Sequence, residues 1–323
     1  MVTAMPAPQT RRIRAEFRRL DPRFAGCDGD EWLEVLYDRG RWLEGPAYHP
    51  AGRCLVFSDI PNDQVLRWDE PTGAVGVLRE PSGFTNGNIF DRAGRMVHCE
   101  QGNRRVTRTE HDASVTVLAS SYSGARFNSP DVVVERTDGS LWFSDPSYGI
   151  DSDYEGVRGV RELDRCMVFR LDPGTGDLSA VVTDLGMPNG LAFDPDESGL
   201  YVVDCAGNRI HHFRVTGTGG LSDGRVFASG DTGPLDSIAV DDGGRVWAAA
   251  GAGVDCYHPD GTRLARLPLP EPVANLTFGG PRGNDLFVVA TSTLYRLRLK
   301  VIGAATPPAK SRRAARPAAP GGS

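Results

Sequence analysis

The chain has 323 residues, 40% of them hydrophobic and 24% charged, with a formal net charge of −6 and six cysteines. This is the composition of a globular protein with ample apolar material for a core, and its acidic balance gives no reason to expect a nucleic-acid partner. No apolar run reaches the roughly 18–20 residues that a membrane span needs.

In chain order, residues 1–30 read as an N-terminal extension. It carries arginines but no apolar stretch before a small-residue cleavage site, so it is no secretory signal, while an arginine-rich organelle presequence stays open. The cysteines at 27, 54, 99, 166, 205 and 256 form no C-x-x-C pair, and most sit inside apolar runs. They read as reduced core thiols of a cytoplasmic protein, with a disulfide framework or a zinc site as the alternative.

Residues 31–300 are organised by an internal repeat. Each copy opens with a polar residue, continues in a short β-prone run, turns at a glycine and returns in a second apolar run. The openings are Glu44-Gly45-Pro46, Asn86-Gly87-Asn88, Asp131-Val132-Val133, Asn189-Gly190-Leu191, Asp236-Ser237-Ile238 and Asn275-Leu276-Thr277. Gly52, Gly94, Gly139, Gly244 and Gly283 each follow eight positions after their opening residue. Gly199 follows ten after Asn189, because the turn at 194–198 is longer. Four strands per copy and six copies predict an all-β fold, a six-bladed β-propeller. Residues 34–37 are expected to complete the last blade. A parallel βαβ fold would need amphipathic helices between the strands, and no such segments are present.

The first strand of each propeller blade lines the axis. Glu44, Asn86, Asp131, Asn189, Asp236 and Asn275 are therefore expected to converge at one end of it. Three converging carboxylates repel one another unless a cation sits between them. An all-oxygen donor set without His or Cys favours calcium, with zinc or another divalent cation as alternatives. The competing reading is that these residues cap turns or bind channel water. Fourteen or fifteen positions later, Asp59, Glu100, Asp145 and Asp204 return to the same face, either to orient the ring or to hold loop amides. Residues 146–165, with Tyr148, Tyr154 and Glu155, form the longest insertion and are expected to cover the pocket or to decorate the surface. Residues 301–323, rich in Ala, Pro and Arg, read as a disordered tail.

Several motifs carry a resemblance: Glu44-Gly45-Pro46, Phe57-Ser58-Asp59-Ile60, Arg126-Phe127-Asn128-Ser129-Pro130, Trp142-Phe143-Ser144-Asp145-Pro146, Pro188-Asn189-Gly190 and Asn275-Leu276-Thr277-Phe278. In order and spacing, from about residue 42 to 299, the chain resembles the gluconolactonase-like lactonases that include senescence marker protein (regucalcin). The resemblance implies Glu44, Asn189 and Asp236 as metal ligands and a small sugar-type lactone as substrate. It also shows a departure: the residue after Asn-Ser-Pro is usually Asn followed by Asp, and here it is Asp131 followed by Val132. The mechanism expected is metal-assisted hydrolysis, with Asp236 activating water and Asn86, Arg126, Asn128 and Asp131 facing the substrate. Two other readings stand beside it. One is a phosphotriesterase of the diisopropyl-fluorophosphatase kind; the other is a non-catalytic propeller scaffold, against which Trp68-Asp69 occurs only once.

Overall fold

Short β-prone runs punctuated by tight turns can bury their apolar side chains only by stacking sheet on sheet. The computed structural model describes residues 11–217 and 219–305. These form six antiparallel sheets of four or five strands, taken up in chain order, with a two-stranded hairpin outside them. The molecule is a six-bladed β-propeller. The innermost strands are Leu43–His49, Thr85–Phe90, Val133–Glu135, Pro188–Phe193, Leu235–Val240 and Val273–Gly279.

The ring closes through the chain ends. Trp32–Tyr37 pairs with Leu294–Arg298, placing Tyr37 opposite Leu294 and Glu34 opposite Arg296. The segment before it adds outer strands to two blades: Arg12–Arg14 on Trp32–Tyr37, and Arg18–Arg19 on Arg263–Pro268 of the fifth blade. Both cover sheet edges that would otherwise present unpaired backbone groups. Phe17 anchors this segment, 5.0 Å from Phe24 and 6.3 Å from Trp247 between ring centroids. Residues 301–304, grouped with the tail by composition, are fastened to the fifth blade. Ile302 O accepts from Asp242 N at 2.7 Å, Ala304 N donates to Val240 O at 2.8 Å, and Val301, Ile302 and Ala304 are buried. The rest of the expected tail, 306–323, lies outside the described residues.

Between blades the core is aromatic and aliphatic. Phe127, Phe143 and Phe169 are fully buried and pack with centroids 5.1–5.3 Å apart. Each such side chain contributes roughly 1.5–3 kcal/mol of burial free energy. All six cysteines are free, and five of them are buried. Among the described residues, no helix is long and apolar enough to cross a membrane.

Two features aim the inner strands. In five blades the first strand begins with a β-bulge, a register slip between Glu44 and Ala47, Thr85 and Asn88, Pro188 and Leu191, Leu235 and Ile238, and Val273 and Asn275. A bulge bends the strand end and redirects its side chain, as occurs at barrel rims beside active sites. Glycines then let neighbouring blades touch. A Cβ on Gly45 would stand 2.0 Å from Asn86 O, and one on Gly87 would stand 2.2 Å from Asp131 O. At the other end of the inner strands a cavity of about 850 Å³ opens, walled by Tyr48, Phe90, Phe193, Phe278 and the adjoining turns. Of the six ring residues, only Asn275 lines it.

Candidate active site

The strand registers put both rings of polar residues at one end of the propeller. Leu43 stands opposite Asp59, Thr85 opposite Glu100, and Pro188 opposite Asp204, so each acid returns beside the start of its own inner strand. Glu44, Asn86, Asp131, Asn189 and Asn275 are buried. Asp236 is half-buried and is the ring member that keeps access to solvent.

Each ring carboxylate receives one side-chain amide. Asn275 Nδ2 donates to Glu44 Oε2, Gln101 Nε2 to Asp131 Oδ2, and Asn189 Nδ2 to Asp236 Oδ1, each at 2.9 Å. Gly45 N adds a second donor to Glu44 Oε2, also at 2.9 Å. Among the described residues, no Arg, Lys or His forms an ion pair with any of the three. Burial therefore raises all three carboxyls. Glu44 is pushed up to about 7, with its amide donors only partly opposing the effect. Asp131 and Asp236 are pushed well above the usual carboxylate range by burial first and then by the charge of Glu44. Such mutual effects require the carboxylates to share one low-dielectric region.

The donors are oxygens, and acceptors remain over: Asn86 Oδ1, Gln101 Oε1 and Asn128 Oδ1 are buried without a hydrogen-bond partner. A buried oxygen cluster short of positive charge matches what a hard cation requires. Among the described residues, no three His, Cys, Asp or Glu side chains close to a ligand cluster. Of the three expected ligands, Asn189 and Asp236 are joined by their hydrogen bond, while Glu44 is bonded to Asn275 and Gly45.

The outer acids mostly hold loops. Asp59 accepts from the backbone N of Arg41 at 3.1 Å, Asp145 from those of Asn128 and Ser129 at 2.8 and 2.9 Å, and Asp204 from that of Met187 at 2.9 Å. Glu100 instead binds Arg79, Arg105, Asn103 and Thr107. Asn128 spends its amide nitrogen on Asp145 O and Arg165 O, at 3.2 and 3.1 Å. Arg126 is exposed, and its guanidinium reaches Asn103 O at 3.4 Å, not a ring residue.

The insertion crosses this face. Its short helix α1, Tyr148–Asp151, is seated by Gly149, whose Cβ would lie 2.6 Å from Gln101 Cβ and 2.9 Å from Ser129 Cβ. Tyr154 Oη donates to Arg41 O at 3.3 Å, so a loop of the third blade reaches the entry of the first. Glu155, half-buried next to it, is pushed up to about 6 by burial, and its charge raises Glu44, Asp131 and Asp236 in turn. Gln101 was absent from the sequence-derived site. The one signal for it is its place directly after Glu100, a strand-end position that in other blades is held by Ile60, Pro146 and Cys205.

Residues 42–292 match the family described as SMP-30/Gluconolactonase/LRE-like region. A gluconolactonase of Zymomonas mobilis is 30% identical over 298 residues, covering 84% of this chain and 82% of that protein. A pentonolactonase of Haloferax volcanii is 29% identical over 252 residues, covering 76% and 80%. A solved gluconolactonase from Xanthomonas campestris superposes with a TM-score of 0.85 at 37% identity, covering 92% of this chain and 99% of that one. A calcium-binding regucalcin from Agrobacterium tumefaciens, 20% identical with a TM-score of 0.70, shares the fold. The chain belongs to the SMP-30/gluconolactonase/LRE-like family and is an enzyme of its lactonase type.

Proposed function

We propose that this enzyme opens small sugar-type lactones, with Glu44, Asn189 and Asp236 holding one divalent cation, calcium by the hardness of the donor set. The observation that supports the reading is that Glu44, Asp131 and Asp236, each at the start of an inner strand, accept amide hydrogen bonds, have no cationic partner among the described residues and are raised by burial and by one another's charge. The names of the relatives support the substrate class. The cation supplies Lewis-acid polarisation of the lactone carbonyl.

The protein's own groups do the rest. Asp236, the half-buried member, takes the proton of the attacking water, since it alone of the ring carboxylates keeps solvent access. Asn189 holds Asp236 through its amide and so fixes the direction of that carboxylate. The orphan acceptors Asn86 Oδ1 and Asn128 Oδ1 offer partners to substrate hydroxyls. Asp131 adds a negative charge beside the cation and strengthens its retention.

Metal analysis of the purified protein, followed by assays on an aldonolactone and a fluorophosphate before and after chelation, tests this. The expected result is bound calcium and lactone opening that chelation abolishes and calcium restores. Opening that persists without metal overturns the mechanism, and preference for the fluorophosphate overturns the substrate class.

A further inference from the structure

We propose that the segment 306–323 docks in the cavity at the far end of the propeller axis, its first prolines against the aromatic wall and its basic residues on the acidic rim. This face is the opposite one from the candidate active site, so the inference stands apart from the lactonase reading.

The chain is delivered to the mouth of that cavity. Gly303 N donates to Gly283 O at 2.9 Å and Ala304 N to Val240 O at 2.8 Å, which fixes the backbone between the sixth and fifth blades. A Cβ on Gly303 would stand 2.2 Å from Phe278 Cβ, so the chain lies directly against the wall here. Gly303, Ala304 and Ala305 then line the cavity themselves. Its volume of about 850 Å³ lies within the roughly 300–1,000 Å³ of sites that bury a ligand.

The lining differs from one side to the other. Blades one, five and six contribute residues 45–51, 237–240 and 275–280, none of them acidic. All four acids of the lining, Asp91, Glu135, Asp194 and Glu197, stand on blades two to four, against the single arginine Arg92. Arg95 pairs with Asp91 at 2.8 Å, and Arg136 stands 3.9 Å from Glu197. Asp194 faces His212 at 3.7 Å and pairs with no Arg or Lys among the described residues. In a ring of six, the junction of blades five and six faces blades two and three across the axis. The acids therefore lie opposite the point where the chain enters.

The sequence of the segment runs in the same order. Thr306-Pro307-Pro308-Ala309 comes first and is uncharged; Lys310, Arg312, Arg313 and Arg316 follow, with no acid among them. Five residues reach at most about 18 Å, more than the width of a cavity of this volume. Such a composition cannot build a core of its own, and the cavity supplies the apolar surface it lacks. Prolines suit aromatic-lined grooves because little chain entropy is lost when they bind. Attachment at Ala305 sets an effective concentration in the millimolar range, so individually weak contacts suffice. Docking ties blades two to four to the junction of blades five and six.

The test is zero-length carbodiimide cross-linking of the full chain, read by mass spectrometry. Lys300 and Lys310 are the two lysines, and Lys300, 2.8 Å from Asp28, supplies the internal standard. The expected result is Lys310 joined to Asp91, Glu135, Asp194 or Glu197 of the same chain. Lys310 left unlinked while Lys300 joins Asp28, or linked only to other carboxylates, overturns the proposal. Mixing chains of natural and heavy isotopic composition identifies the occupant, and links that bridge two copies overturn docking within one chain. Tryptic cleavage after Arg312 and Arg313 should also be about 10-fold slower in the full chain than in a synthetic 306–323 peptide, since the rate follows the undocked fraction. Equal rates overturn the proposal as well.

Discussion

Gln101 donates its side-chain amide to Asp131 at 2.9 Å, and both side chains are buried under the insertion. One amide bond does not balance a buried carboxylate that also faces Glu44 and Glu155, which is why Asp131 is pushed well above the usual carboxylate range. The pair explains how this chain accommodates an acid where its resemblance leads one to expect Asn. Asp131→Asn should relieve repulsion in the metal-free protein and weaken its hold on a cation. The expected outcome is a higher Tm in chelator and about a 10-fold loss of calcium affinity, roughly 1.4 kcal/mol. Scanning calorimetry and calcium titration read the two effects, and an unchanged affinity would remove Asp131 from the cation's surroundings.

Asp236 is assigned the water-activating role on its partial exposure and its bond to Asn189. Asp236→Ala should lower kcat/KM on the aldonolactone by about 1,000-fold or more while the circular dichroism spectrum stays unchanged. Asp236→Asn, which keeps the shape but not the base, should be nearly as poor. Full activity in either variant refutes the assignment.

The repeat was legible because its period is short and its punctuation regular. Glycines eight positions after a polar opening mark the first turn of five blades, and the strand at 34–37 was readable as the missing partner of the last blade. The placement of Glu44, Asp131 and Asp236 at the starts of three inner strands follows from the same count. Other parts of the site left weaker traces. Arg126 sits in a motif beside Asn128, yet its backbone N bonds Glu162 and its guanidinium Asn103, contacts set by loops whose paths have no period. Gln101 belongs to no motif, and its role depends on α1 packing Gly149 against it. The bulges at the strand starts, which turn the ring side chains inward, show in the sequence only as glycines after Glu44, Asn86 and Asn189. The buried segment at 301–304 was hidden by a composition shared with the residues that follow.

Those glycines carry a prediction about ring spacing. Gly87→Ala would set a Cβ 2.2 Å from Asp131 O and 3.1 Å from Val132 Cα, both backbone atoms of the next blade. Neither can retreat without widening the ring. The variant should lose about 1–3 kcal/mol of stability in urea unfolding and bind calcium more weakly. Gly76→Ala, where a Cβ meets nothing within 4 Å, is the control. It should be neutral or gain about 0.4–1 kcal/mol by restricting the unfolded chain. Equal behaviour of the two variants would show that close approach at the axis does not set the ring.

His98 makes the fold sensitive to acid. It is buried between Asn88 Oδ1 at 2.7 Å and Thr109 Oγ1 at 3.1 Å. Burial first, and then the charge of Arg79, push its pKa down from 6.5 to about 4, with Glu100 opposing weakly. A folded-state pKa below the unfolded one means that the neutral ring favours the fold. That contribution is fully present above pH 6.5 and is lost as pH falls toward 4. The shift corresponds to about 3 kcal/mol. His98→Gln keeps a polar side chain of similar reach but cannot titrate. Subtracting its urea-unfolding free energy from that of the unaltered protein cancels the carboxylates, which titrate in both. The difference should favour the unaltered protein above pH 6.5 and shrink steadily toward pH 4. A difference that is flat across this window would mean that the ring is already protonated in the fold, or that it costs nothing to charge there.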